Sequence, residues 1–245
     1  MRRWRTQLLI LILGLVICAL PLREKFRLLM AGTRMPVGEK SVADRVAVFR
    51  GAVHGRLIAR FREIGISYPP KNMVLVALKQ ERLLEVWVND ETTRYRYLTT
   101  YPILGASGKL GPKLREGDLQ VPEGLYKIES LNPNSRFHLA LRVNYPNDFD
   151  RERGRHDNRI NLGSDIMIHG GTASVGCLAM GDEAAEDLFV LAAETGIKNL
   201  EVILAPVDFR VRELPADIQE LPNWSAELYG RIRQSLMAVK KEPTP

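Results

Sequence analysis

The chain has 245 residues, of which 45% are hydrophobic and 26% charged. That is enough apolar side chain for a buried core, and it excludes a disordered polyelectrolyte. Lys and Arg number 35 against 29 Asp and Glu, a net charge of +6. The arginines are scattered and several flank an apolar segment, so the clustered basic face of a nucleic-acid binder is not expected.

The N-terminus, MRRWRTQLLILILGLVICALPLREKF, places Arg2, Arg3 and Arg5 ahead of an uncharged, mostly apolar run from Gln7 to Leu22, with Arg23, Glu24 and Lys25 after it. This is the layout of an export signal. The run is shorter than the roughly 20 residues of a full span and longer than the about 7 to 15 of a cleaved h-region. Residues 1–22 are therefore read as a signal peptide or a membrane anchor, with association at the inner membrane through residues 7–22 as the second case. The basic flank stays cytoplasmic, which puts the rest in the periplasm or cell envelope. Cys18, inside the run and behind the bulky Val16 and Ile17, is read as membrane-buried and inert.

Residues 23–69 read as a linker followed by an amphipathic helix. Val42, Val46, Phe49, Val53, Leu57, Ile58 and Phe61 recur at three- and four-residue spacings, with Ser41 as N-cap and Gly65 as stop. His54, beside that stripe, is expected to be packed or at the surface. After the turn YPPKN, the runs MVLVALK, LLEVWVND and RYRYLTTYPIL read as antiparallel strands, and GLYKIE, RFHLALRV, DIMIH and LEVILAP as further strands. DEAAEDLFVLAAET, between Gly181 and Gly196, predicts a helix with acidic residues in its first turn. Residues 207–245 hold a proline-bearing linker and a last helix from Ser225 to about Lys240. The expected fold is a β-rich α+β domain, a sandwich or barrel-like core with flanking helices.

The chemistry concentrates in IHGGTASVGCLAM, residues 168–180. In an oxidising compartment a lone Cys177 is either a small buried hydrophobe or a working thiol. Gly176 permits a tight turn, and the amides of Gly176 and Cys177 can face an oxyanion formed at a carbonyl under attack. His169, eight residues upstream, can fold back and raise the nucleophilicity of the thiol. Against this, His169 can be a satisfied histidine at a strand end. Cys177, Met180 and His169 are soft ligand types, but a third strong ligand is missing, so no metal or other cofactor is expected. Ser174 lacks the G-x-S-x-G frame of a nucleophile and suits a hydrogen-bonding or turn role.

His169-Gly170 followed by Ser174-Val175-Gly176-Cys177 resembles the L,D-transpeptidase catalytic domain of the YkuD type, whose signature is His-Gly followed by Ser-His-Gly-Cys. The Ser-x-Gly-Cys-x-x-Met ending is most similar to the YafK-like branch. GASGKLGPKLREGDLQVPEGLYKI at 105–128 and YPNDFDRERGR at 145–155 are similar to two further blocks of that branch. The resemblance covers residues 70–206. It implies Cys177 as nucleophile, His169 as base and the Gly170 carbonyl as the group orienting the imidazole. Val175 and Ala179 depart from the histidine and arginine of the broad family. Ser174, Lys113, Asn147, Arg151, Arg153 and Arg155 become the candidate substrate contacts, the basic residues for stem-peptide carboxylates.

The implied function is that of a cysteine acyltransferase of cell-wall organisation and cell shape. Its expected partners are peptidoglycan stem peptides and, as acceptor or leaving amine, a lysine of an envelope protein. The acyl group comes from a diaminopimelate-containing stem, passes through a Cys177 thioester and goes to an amine. The alternatives are a hydrolase of the same fold that cleaves cross-links or peptidoglycan–protein links, and a non-catalytic envelope-binding module. His138 and His156 receive no role, with His156 expected at the surface.

Overall fold

A computed structural model describes residues 38–91, 94–216, 218 and 221–240. The 1–22 segment with Cys18, and most of the linker after it, lie outside the described residues. Among the described residues no helix is long and apolar enough to cross a membrane.

Helix α1 spans Val42–Glu63. Ser41 caps it through a reciprocal box with Asp44, and Gly65 ends it with φ +64°. Its stripe buries Val53, Leu57 and Phe61 against the main core. His54 packs edge-on to Tyr68 and lies 3.4 Å from Glu194.

Among the described residues nine strands follow: β1 (Asn72–Leu78), β2 (Leu83–Asn89), β3 (Arg96–Pro102), β4 (Gly105–Ala106), β5 (Gly124–Ser135), β6 (His138–Val143), β7 (Met167–His169), β8 (Leu178–Ala179) and β9 (Leu200–Ala205). They form one curled sheet, a half-barrel in the order β3-β2-β1-β9-β5-β6-β7-β8-β4. The first three pair antiparallel, as their sequence predicts. The complete sheet is mixed, because β1 runs parallel to β9 and β7 parallel to β8.

Strand alternation sets the layers. Met73, Leu75 and Ala77 of β1 enter one core, and Val74, Val76 and Leu78 enter the other. A central strand buried on both faces reads as the unbroken apolar run MVLVAL. Helix α3 (Asp182–Thr195) fills the first core with Leu188, Phe189, Val190, Leu191 and Ala192. Its Asp187, 2% exposed, accepts from Arg56 of α1 and Tyr101 of β3, each at 2.8 Å. Helix α4 (Ser225–Ala238) covers the second core with Leu228, Tyr229, Ile232 and Leu236.

Two features depart from the sequence expectation. Residues Asp148–His156 form a helix, α2, which is not among the elements read from the sequence. Asn147 caps it through a reciprocal box with Asp150, but its only buried residue is Gly154, so it carries no apolar stripe to read. The connection from β7 to α3 also holds the two-residue strand β8.

Candidate active site

His169 ends β7 and Cys177 immediately precedes β8. The parallel ladder pairs Ile168 with Leu178 and His169 with Ala179. Paired residues share a face, and alternation carried back from Ala179 brings residue 177 onto the face of His169. The seven residues between them bulge outward, with Thr172, Ala173 and Val175 exposed.

The imidazole is held on two sides. Its Nδ1 lies 2.6 Å from the Gly170 carbonyl oxygen. A carbonyl only accepts, so the proton is assigned to Nδ1, and Nε2 is left as the basic lone pair. Phe137, at the tip of the β5–β6 hairpin, stacks on the ring at 4.6 Å. Burial lowers the His169 pKa below its ordinary value of 6.5, and the Gly170 bond offsets part of that. Gly170 itself is sterically required, because a Cβ there would stand 2.6 Å from Asp182 Oδ1 and 2.7 Å from the Phe137 carbonyl.

Cys177 is half-buried, and its thiol donates to the Asp165 carbonyl at 3.5 Å. Burial pushes its pKa up, and the Asp165 carboxylate adds to this. A backbone bond at Met167 and the charge of Lys113 act in the opposite direction. Burial thus acts in the same sense on both groups, raising the thiol and lowering the imidazole. Each shift favours the uncharged form of its own side chain.

Two serines shape the turn that carries the thiol. Ser174 Oγ accepts the Cys177 N–H at 3.1 Å and donates to the Cys177 carbonyl at 2.5 Å. Ser107, just after β4, accepts the Gly176 N–H at 2.6 Å and donates to the Leu119 carbonyl at 2.7 Å. Both amides named for an oxyanion are therefore capped by hydroxyls in this state. Sequence reading missed Ser107, whose partner lies 69 residues away. The only signal was its place in the Gly-rich start of the 105–128 block.

Ser107→Ala leaves the Gly176 N–H and the Leu119 carbonyl without partners. We expect a stability loss of about 1–2 kcal/mol by chemical denaturation. Acylation of Cys177 should slow by about ten- to a hundredfold, because the turn is no longer pinned.

The remaining candidates divide. Lys113, 7% exposed, is held by Asp118 at 2.5 Å and the Arg115 carbonyl at 2.9 Å. Of the basic candidates, it is the one whose charge reaches Cys177. Asn147 has its side chain occupied by the Asp150 N–H and the Leu125 carbonyl. Arg151 pairs loosely with Asp148, and Arg153 binds Glu227 while stacking on Phe149. Arg155 is exposed and lines a cavity with Ile160 and Leu162. His138 meets Glu186 at 3.0 Å, and His156, beside Asp157, is exposed. Val175 is 63% exposed, whereas Ala179 is fully buried directly opposite His169.

The chain is 38% identical over 113 residues to YafK of Escherichia coli strain K12, which is named provisionally as an L,D-transpeptidase. That match takes in 45% of this chain and 43% of the relative, so the chain spans less than half the length of the curated protein it matches. Among solved structures it is similar to Bd1075 of Bdellovibrio bacteriovorus, with 21% identity, a TM-score of 0.42, and coverage of 71% of this chain and 57% of that one. It is also similar to the helical cell shape determining protein Pgp2 from Campylobacter jejuni, with 22% identity, a TM-score of 0.43, and coverage of 60% and 54%. Residues 71–203, more than half of the chain, match the family model of the L,D-transpeptidase catalytic domain, YkuD, and they enclose both His169 and Cys177; the chain belongs to that family.

Proposed function

We propose that this protein is an envelope cysteine acyltransferase acting on peptidoglycan stem peptides. The observation that carries this is the bond from His169 Nδ1 to the Gly170 carbonyl, which leaves Nε2 basic on the face where Cys177 emerges. The thiol gives its proton to Nε2 as Sγ attacks the carbonyl at the L-centre of diaminopimelate. The C–N bond to D-alanine or another amine breaks, the imidazolium returns its proton to the leaving nitrogen, and a thioester remains. An amine acceptor then attacks the thioester, loses its proton to Nε2 and restores the thiol.

Mass spectrometry of the chain incubated with muropeptides tests this directly. The expected result is an adduct of one acylated stem on Cys177, absent from Cys177→Ala. A wild-type chain that never shows the adduct overturns the proposal.

The pH dependence follows from the shift of the imidazole. Because the His169 pKa lies below its ordinary value, the base keeps its lone pair into mildly acidic solution. The acid limb of kcat/KM for acylation should fall below pH 6.5, and a limb above that value counts against His169 as the base. A second reading, hydrolysis, is favoured by the exposed residues Thr172, Ala173 and Val175, which leave the thioester open to water. Purified sacculi separate the two: cross-links or attached proteins rise under transfer and fall under hydrolysis.

A further inference from the structure

The peptide unit between Gly170 and Gly171 is gripped at both ends. Its carbonyl oxygen accepts from His169 Nδ1 at 2.6 Å, and its N–H donates to Asp182 Oδ1 at 2.8 Å. Both bonds belong to one planar, resonance-coupled group. A carboxylate drawing on the N–H adds negative character to the oxygen at the other end, so each bond strengthens the other. Carboxylate, peptide and imidazole thus form a single chain of hydrogen bonds, with Nε2 at its far end.

The register of the sheet brings Asp182 to this place. Strands β7 and β8 pair His169 with Ala179, and the ladder continues past them. The Met180 N–H donates to the His169 carbonyl at 2.8 Å, and the Gly181 N–H to the Gly171 carbonyl at 2.9 Å. On the other side the Gly170 N–H donates to the Leu139 carbonyl at 3.1 Å. These bonds fix the backbone around the peptide unit, but they use neither its own carbonyl nor its own N–H. Asp182, the next residue and the first of α3, reaches back and takes that N–H. The fit is close, because a Cβ on Gly170 would stand 2.6 Å from the same carboxylate oxygen. Asp182 is exposed, so solvent screens its charge, and its contribution is an acceptor atom at a fixed point.

We propose that Asp182 is a positioning residue for acylation: its Oδ1 sets the plane of the 170–171 peptide, which keeps His169 protonated at Nδ1 and leaves Nε2 free. The role in acylation rests on the acyl-transfer reading, whereas the tautomer belongs to the resting chain and needs no substrate.

Two substitutions in the full chain test it. Asp182→Ala removes the acceptor, and Asp182→Asn keeps an oxygen in place without the charge. Long-range proton–nitrogen correlation spectra of the imidazoles read the tautomer in neutral solution, with His169→Gln identifying the His169 signals among the four histidines. Wild type and Asp182→Asn are expected to show the Nδ1-protonated form alone, and Asp182→Ala a mixture of both tautomers. Single-turnover mass spectrometry with muropeptides should show Asp182→Ala acylating Cys177 about tenfold more slowly, the effect of one lost hydrogen bond on a barrier, and Asp182→Asn within about threefold of wild type. Glu183→Ala removes the other acid from the first turn of α3 and should change neither readout, which separates the bond to Gly171 from helix stability. Where Asp182→Ala does not fold, Asp182→Ser gives the same reading, because it keeps a residue suited to a helix start but carries its oxygen one bond shorter.

An Asp182→Ala chain whose His169 keeps a single tautomer overturns the role of Asp182. So does one whose tautomers mix while acylation stays at the wild-type rate, or an Asp182→Asn chain as slow as Asp182→Ala. In each of these cases a thioester on the wild-type chain leaves the acyl-transfer reading intact. A wild-type chain that forms no thioester overturns that reading, and the tautomer of Asp182→Ala then still decides whether the carboxylate sets the imidazole.

Discussion

Replacing His169 by glutamine is expected to slow acylation of Cys177 by about 10²–10⁴-fold, the range that a positioned general base supplies. Cys177→Ala should abolish the adduct altogether. The raised pKa of the thiol explains why the imidazole should matter so much. A thiol whose pKa is pushed up by burial is almost entirely protonated at neutral pH. It reacts only if a lone pair stands ready to take the proton during attack. His169→Gln keeps a polar side chain of similar length without a basic nitrogen. Single-turnover mass spectrometry gives the rate, and a change below threefold would remove His169 from the base role. Raising the pH should restore part of the lost rate, since hydroxide then generates the thiolate directly. A merely structural histidine would show no such recovery.

Lys79→Met should destabilise the fold by about 3–5 kcal/mol, the cost of leaving one partner of a buried ion pair without the other. Glu123 is 1% exposed and accepts from Lys79 Nζ, the Gly111 N–H and the Tyr229 hydroxyl, each at 2.8 Å. Lys79 also donates to the carbonyls of Gly111 and Val121. Four segments meet there: the end of β1, the loop after β4, the entry to β5 and helix α4. Burial lowers the Lys79 pKa and Glu123 opposes this, so the pair is held together against its own desolvation. The double variant Lys79→Met/Glu123→Leu should recover much of the loss, because no lone charge stays buried. Denaturant midpoints of the two single variants and the double variant give the coupling. A Lys79→Met chain within about 1 kcal/mol of wild type would show that water reaches Glu123.

Periodic apolar patterns were legible before any coordinates. The three- and four-residue stripe of α1, the capping Ser41, the unbroken run of β1 and the helix between Gly181 and Gly196 all stand where the pattern put them. What was not legible lacks a pattern. Helix α2 is polar around nearly its whole circumference, so nothing distinguishes its arginines from those of a loop. Strands β4 and β8 are two residues each, too short for alternation to show. Within the candidate site, His169 and Cys177 could be read because they are close in sequence and flank a glycine-rich turn. Phe137 and Asp165 touch that pair, and Ser107 the neighbouring Gly176, through tertiary approach, and each is an ordinary loop residue when read alone. The capped state of the two amides is likewise a fact of three-dimensional neighbours, invisible in Gly176-Cys177 as a dipeptide.

The group that aims the imidazole is the main-chain carbonyl of Gly170. A side-chain orienter presents one more residue whose replacement would disable the pair, but a peptide oxygen is supplied by every amino acid. On the acyl-transfer reading proposed above, the mutational target is correspondingly small: the thiol, the imidazole, the absence of a Cβ at Gly170, the Ser107 hydroxyl that pins the turn and the Asp182 oxygen behind the peptide. The exposed Val175 lies outside that target. On that reading a substitution there can alter the acceptor while the thiol and the imidazole stay as they are, so a new specificity is reachable by single steps.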